Sequence, residues 1–369
     1  MKLLIVEPYF TGSHKRWAEE YAMQSGHEVE LLTLSGHYWK WRMHGGAVSL
    51  ARKYHDHDHD YDLILVSDML DLTTFQALTR DRTSKIPFAI YFHENQLTYP
   101  WSETDRDVEA GRDNHYGFIN YASALCADKV LFNSQFHFDS FLAALPNFLK
   151  GFPDNNEIGT IEKIKHKSKV LHLGIDLKKF DNIQPEKTSS DAPILLWNHR
   201  WEYDKNPEGF FKALYRLDEK GLNFELVLLG ENFSQQPGCF EKARDHFGSR
   251  VLHYGFADSF EEYASWLHKA HILPVTSNQD FFGGSTVEAM YCGCTPLLPN
   301  NLAFPEHIPP EFQTGHLYSS EEEFISMLES MIRNFREPHK DFSKWVKQYD
   351  WQTMAPIYDS TFSSFALPK

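Results

Sequence analysis

The chain has 369 residues, 42% of them apolar and 15% aromatic, with a formal net charge of −15. That length exceeds what one hydrophobic core ordinarily serves, so two domains are expected. The acidic balance excludes general nucleic-acid binding, and any polyanion would have to meet a local basic patch.

The first apolar run, residues 3–6, starts without a basic leader, which speaks against a signal peptide. Further strand-like runs follow at 29–32, 63–66, 88–92 and 129–132, with helical or irregular stretches between them. Buried runs spaced by helices predict a parallel sheet covered on both faces. A last run, 170–173, leads into Gly174-Ile175-Asp176 and closes a first domain at residue 180; the polar segment 181–191 reads as a linker. The pattern then restarts. Strands are predicted at 194–197, 224–229, 251–254, 272–275 and 295–298, and helices at 207–219, 259–270, 286–292 and 321–335. This second doubly wound domain spans 192–340. A helical tail, 341–369, is expected to break at Pro356 and to return to the first domain. Two such domains facing each other would bind ligands at the carboxyl ends of their strands.

Cys126, Cys239, Cys292 and Cys294 are few for this length and indicate a reducing compartment; the closely spaced last two lack a second pair, so no zinc site is predicted. No apolar stretch is long enough to span a bilayer. The expectation is a soluble cytoplasmic protein without a membrane partner.

The strongest chemical signal is Asp280-Phe281-Phe282-Gly283-Gly284-Ser285-Thr286-Val287-Glu288-Ala289-Met290, after a strand and opening a helix. Glycines let a ligand approach the backbone, and the amides of Gly284, Ser285 and Thr286 at a helix start suit a diphosphate. Asp280 and Glu288 can each accept hydroxyl hydrogen bonds, one from a sugar and the other from a ribose. The second signal, Trp197 to Pro207, carries Arg200 and Lys205 five residues apart. These cations either clamp a leaving diphosphate or pair with Glu202 and Asp204 at the surface. A third stretch, residues 31–55, contains no Asp or Glu but includes Trp39, Lys40, Trp41 and Arg42. It reads as a basic, aromatic island that could stack on unpaired bases, or as a tryptophan-rich hinge. On an extended segment, the tryptophans and the cations would occupy opposite faces. The alternating run from His55 to Asp60 reads as a solvated loop, not a metal site.

The acid, seven residues and Glu288, the Arg200–Lys205 spacing and Gly174-Ile175-Asp176 together resemble the retaining GT-B glycosyltransferases of the glycogen and sucrose synthase type. The first acid of that pattern is usually Glu and is Asp280 here. Gly12-Ser13-His14-Lys15, Tyr91-Phe92-His93-Glu94-Asn95-Gln96, Phe132-Asn133-Ser134, Asn198-His199-Arg200-Trp201-Glu202 and Tyr291-Cys292-Gly293-Cys294 are more specifically similar to the tRNA-queuosine alpha-mannosyltransferases. The resemblance implies a GT-B fold of two Rossmann-like domains. It implies GDP-mannose as co-substrate and queuosine in the anticodon of tRNA-Asp as acceptor. It also implies retention of configuration, with no cofactor and no metal.

Arg200, Lys205, His93 and Asp280 would then be catalytic, with His93 touching the transferred sugar. Gly12, Ser13, Gly283, Gly284, Ser285, Thr286 and Glu288 would join Arg200, Lys205 and Asp280 in donor binding. His14, Lys15, Trp39, Lys40, Trp41, Arg42, Glu94, Asn95 and Gln96 would meet the acceptor. The alternatives are a GT-B transferase acting on a glycan or small metabolite, and a nucleotide-sugar-binding protein without turnover.

Overall fold

The computed structural model describes residues 1–56, 60–101, 114–183, 191–230 and 237–366. It contains two compact units, Met1–Ile175 with Trp351–Lys369, and Asp176–Asp350. Residues 176–180 and 341–350 thus belong to the second unit, whereas the sequence reading placed the divisions at 180 and 341. Most of the expected linker, and His57, Asp58 and His59 of the alternating run, lie outside the described residues.

In the first unit, β1 (Lys2–Phe10), β2 (Glu28–Ser35), β3 (Leu63–Ser67), β4 (Phe88–Phe92), β5 (Lys129–Phe132) and β6 (Ser168–Val170) form a parallel sheet in the order β2-β1-β3-β4-β5-β6. Every residue of β3 and β4 is buried, the mark of a sheet covered on both sides. The period of two divides the side chains cleanly. Leu4, Val6, Ile64, Val66, Ile90, Phe92, Val130 and Phe132 enter one core. Leu3, Ile5, Leu63, Leu65, Ala89, Tyr91 and Leu131 enter the other, with Trp17, Tyr21, Trp351, Tyr358 and Phe362.

The terminal helix Trp351–Ser363 supplies the last three and runs through Pro356 without the expected break. One missing N–H costs a single intrahelical bond there. The interruption falls instead at Asp350, whose extended backbone frees its carboxylate to accept the amides of Leu177 and Lys178 at 3.0 and 3.1 Å. Trp351 resumes the first unit by donating its amide to the Ile175 carbonyl at 3.1 Å. Its indole lies against Gly174, where a Cβ would sit 2.4 Å from the ring, so the glycine is needed for this close approach.

The expected strand at 170–173 is displaced to 168–170. β5 stops at Phe132 because Asn133 and Ser134 turn into the next helix, Ser134 capping the His137 amide. The carbonyls of Leu171 and His172 then accept from the hydroxyls of Tyr91 and Tyr358 in place of a ladder.

A larger difference is residues 39–55. They form the helix Trp39–His55, entered through left-handed Tyr38 at φ 56°, and not an extended hinge. Buried Met43, Gly46, Ala47, Leu50, Ala51 and Tyr54 recur at helical spacing, and packing that stripe on β1 and β3 selects the helix.

The second unit repeats the plan. β7 (Ile194–Asn198), β8 (Glu225–Leu229), β9 (Val251–Gly255), β10 (Ile272–Pro274), β11 (Thr295–Pro299) and β12 (Leu317–Tyr318) form a parallel sheet in the order β12-β11-β10-β7-β8-β9. Leu195, Trp197, Leu226 and Leu228 pack under helices Pro207–Glu219 and Glu321–Arg333. No helix among the described residues is long and apolar enough to cross a membrane.

Candidate active site

In the second unit the site grows from the carboxyl ends of β7 and β10. Helix Gly284–Tyr291 opens after Gly283, whose φ of +82° requires a left-handed residue. Its first intrahelical bond runs from the Val287 amide to the Gly283 carbonyl. The amides of Gly284, Ser285 and Thr286 therefore have no partner within the helix and carry its positive dipole end.

β7 delivers two side chains to this turn: Asn198 Nδ2 donates to the Ser285 carbonyl at 2.8 Å, and His199 Nδ1 meets Ser285 Oγ at 3.1 Å. Burial pushes His199 down to about 4, so its ring is neutral at physiological pH.

Lys205 and Arg200 differ sharply. Lys205 is only 7% exposed, and its ammonium donates to the Gln279 carbonyl at 2.6 Å and lies 3.1 Å from both Asp204 and Asp280. Arg200 is about half exposed, 3.2 Å from Glu202 and 4.0 Å from Asp204. The surface-pair alternative thus describes Arg200, while Lys205 is a buried cation that fixes the Asp280 loop. Glu288, 2% exposed, accepts from the Tyr263 hydroxyl at 2.7 Å. Three helix-start amides, a buried ammonium and a half-exposed guanidinium on loops tied to one helix start offer the chemistry of a diphosphate site.

In the first unit, the carboxyl ends of β1, β3 and β4 bring together residues far apart in sequence. Glu7 is fully buried in β1; its Oε1 accepts the Tyr9 amide at 2.7 Å and its Oε2 accepts His14 Nδ1–H at 2.9 Å. Burial is the largest influence and would lower His14, but the charge and hydrogen bond of Glu7, with the charges of Asp68 and Glu94, together outweigh it and raise the imidazole to about 9. The His14 ring lies 4.3 Å from His93, which is walled by Trp17 and Tyr91. Burial, reinforced by the neighbouring His14, holds His93 well below its usual range. The His93 amide donates to buried Asp68 at 2.7 Å. Burial pushes the Asp68 carboxyl well above its usual range, although His14 pulls the other way. Ligand atoms of Glu7, His14 and His93 lie within 4.8 Å of one another. The Glu7–His14 contact, at 2.9 Å, has the geometry of an ion pair.

The remaining expected residues of this unit have varied settings. Gly12 and Ser13, expected at the donor, and Lys15, expected at the acceptor, are exposed at the start of helix Gly12–Gln24, with Lys15 3.8 Å from Glu19. Asn95 is fully buried and its Oδ1 accepts the amides of Leu97 and Thr98 at 3.0 Å, which makes it the organiser of its turn. Gln96 donates to Glu94 at 3.1 Å.

Trp39 packs on Tyr116 and Trp101, and the Lys40 ammonium sits over Trp39 and Trp101 at 5.6 and 5.4 Å. Trp41 is 62% exposed and Tyr38 81%. Arg42 donates to the Ser35 carbonyl at 2.9 Å. These four successive residues wrap around a first helical turn, so the expected two-face separation of tryptophans and cations does not hold.

Sequence reading missed Glu7, Asp68, His199 and Tyr263. Glu7 left a signal, a charge closing an apolar strand run; His199 stood in the segment 198–202 that carries the resemblance but without a role of its own, and Tyr263 left no signal until the fold placed it.

The two parallel sheets agree with solved structures. Sucrose-phosphate synthase from Thermosynechococcus elongatus is 16% identical, with 99% of this chain and 100% of that one covered at a TM-score of 0.69. A glycosyltransferase from Rickettsia africae is 15% identical, with 99% and 98% covered at a TM-score of 0.67. Likeness at this identity speaks for the fold, and residues 178–348 match the family of glycosyl transferases group 1. The chain is a glycosyltransferase of GT-B fold.

Residues 2–175 match the family described as tRNA-queuosine alpha-mannosyltransferase N-terminal. A tRNA-queuosine alpha-mannosyltransferase of Drosophila melanogaster is 34% identical over 360 residues, 95% of this chain and 92% of the relative. The chain belongs to the tRNA-queuosine alpha-mannosyltransferase family.

Proposed function

We propose that this chain transfers mannose from GDP-mannose to queuosine in the anticodon of tRNA-Asp, with retention of configuration and without a metal, in the cytoplasm. The observation that carries the transfer chemistry is Lys205 joined to Asp280 beside the open helix start at Gly284. A departing nucleoside diphosphate develops negative charge, and prearranged amides and cations stabilise that charge without reorganising. Arg200 completes the clamp from its exposed position. Asp280 accepts from a hydroxyl of the donor sugar, its distance set by Lys205. Glu288 accepts from the ribose, with Tyr263 fixing one of its oxygens.

In this reading the course is retaining. Asp280 is held by Lys205 and serves as a hydrogen-bond acceptor, so the leaving phosphate takes the acceptor proton on the same face of the sugar. The acceptor nucleoside meets Glu94, Gln96 and the His14–His93 pair. The anticodon loop lies on the exposed rings of Tyr38 and Trp41 at the positive end of helix Trp39–His55, where stacking and phosphate contact combine.

The test is incubation with GDP-mannose and queuosine-containing tRNAs, followed by mass spectrometry of the nucleosides. Hexosylated queuosine from tRNA-Asp, with other queuosine tRNAs and UDP-sugars unused, is the expected result. Transfer only to a glycan or metabolite would reassign the acceptor, and donor binding without any turnover would leave a binding protein. Anomeric configuration read by NMR of the product nucleoside decides retention.

A further inference from the structure

The Glu7–His14 pair has no part in the clamp on the diphosphate, yet it is built at cost. A carboxylate and an imidazolium taken this far from water lose several kcal/mol of hydration each, which only close pairing offsets. Both Glu7 oxygens are engaged, one by the Tyr9 amide and one by His14 Nδ1–H. With Nδ1 taken, the remaining donor on the His14 imidazolium is Nε2–H.

Against its ring, at 4.3 Å and 43°, lies His93, whose Nε2 is buried and unpartnered among the described residues. Two rings this close do not both carry charge in a dry site. The partner carboxylate decides which one does, because Glu7 is hydrogen-bonded to His14 at 2.9 Å, while its approach to His93 is only within 4.8 Å. The other charged and titratable groups facing the His14 ring are Tyr9 in β1, edge-on at 6.2 Å, Asp68 after β3 and Glu94 after β4; His137, from helix Gln135–Lys150, stands beside His93.

We propose that Glu7 is a positioning residue that keeps His14 an imidazolium, so that His14 Nε2–H donates to a hydroxyl of one of the reacting sugars while His93 stays neutral beside it. This rests on the transferase function proposed above. No bond is made or broken by the pair; it fixes where one proton resides. The hydroxyl belongs either to the donor sugar or to the acceptor ring, and two assays separate these sources.

The test is the pH profile of Glu7→Gln against wild type, with 15N-histidine NMR to read His14 directly. His14 is raised, so its charged form persists below about 9 and is lost above it. Wild-type transfer should therefore stay level with respect to this group from pH 6 to 8.5. In Glu7→Gln the carboxylate is gone and His14 returns to about 6.5 or below. Transfer should then fall between pH 6 and 8 by roughly tenfold or more, and Glu7→Asp should restore the level profile. The same limb in tRNA-free hydrolysis of the nucleotide sugar assigns the hydroxyl to the donor; a limb in transfer alone assigns it to the acceptor.

Three results would overturn the proposal: a Glu7→Gln rate lowered by one factor at every pH, a wild-type His14 that titrates near 6.5 by NMR, or stoichiometric zinc uptake lost in His93→Ala. Wild-type protein that neither transfers nor hydrolyses would instead remove the parent function, while the NMR titration still reports the ion pair.

Discussion

Lys205 and Arg200 stand five residues apart, yet their surroundings predict different outcomes when each is cut to alanine. Lys205→Ala leaves Asp204, which is buried, and Asp280 without their shared cation. Breaking a buried charge set in this way commonly costs about 3–5 kcal/mol, so thermal denaturation should reveal a clear loss of stability together with the loss of turnover. Arg200 is half exposed, and its removal should shift stability by less than about 1 kcal/mol while slowing turnover roughly a hundredfold. Equal melting temperatures for the two variants would contradict this division. Glu288→Ala should weaken binding of free GDP in calorimetry and Glu288→Gln should weaken it less; an unchanged affinity in Glu288→Ala would take the residue out of the ribose contact. The spacing of these side chains was legible in the sequence. The commitment of Lys205 was not, because its partners Gln279 and Asp280 lie more than seventy residues away on another loop.

Among elements, helix Gly284–Tyr291 depends most on one backbone angle. At Gly283 the φ of +82° disfavours any side chain, and a Cβ would lie 3.1 Å from the Phe304 ring. Gly283→Ala should cost roughly 1–2 kcal/mol of local strain, and the strain falls on the turn that aims the three amides. The expected outcome is GDP affinity lowered by about tenfold in calorimetry with the far-ultraviolet circular dichroism unchanged; unaltered affinity would mean that the amides do not contact the diphosphate. The glycines announced this element in the sequence, and helix Pro207–Glu219 announced itself through Asn206, Pro207 and its apolar period. Helix Trp39–His55 was misread because its conspicuous residues, Trp39 to Arg42, lie on the first turn, ahead of the plainer stripe from Met43 to Tyr54 that determines the fold. Pro356 misled in the opposite sense: a rule about local breaking yielded to the burial of Trp351, Tyr358 and Phe362 on both sides of it.

For the molecule as a whole, a net charge of −15 repels any long polyanion, so tRNA affinity must come from a restricted surface. The surface proposed for it is helix Trp39–His55, with exposed Tyr38 and Trp41, the dipole at its start, and Lys40, Arg42, Arg52 and Lys53 with no acid among residues 31–55. The cations are not equivalent. Lys40 lies over Trp39 and Trp101, and Arg42 is bound to Ser35, so charge reversal at either also disturbs its neighbours. Trp41→Ala removes a largely exposed ring and isolates stacking; one base–aromatic stack is worth about 1–3 kcal/mol, which sets an expected loss of about 5- to 150-fold in tRNA affinity without change in melting temperature. Lys40→Glu with Arg42→Glu isolates charge. Counterion release makes log affinity fall linearly with log salt, by nearly one unit of slope per phosphate neutralised on duplex and somewhat less on a single strand. The double variant should therefore show a salt slope shallower by about one to two units, with GDP affinity unchanged because the donor clamp lies in the other unit. Filter binding from 50 to 300 mM salt measures both terms, and a variant slope equal to wild type would place the phosphate contacts elsewhere on the chain.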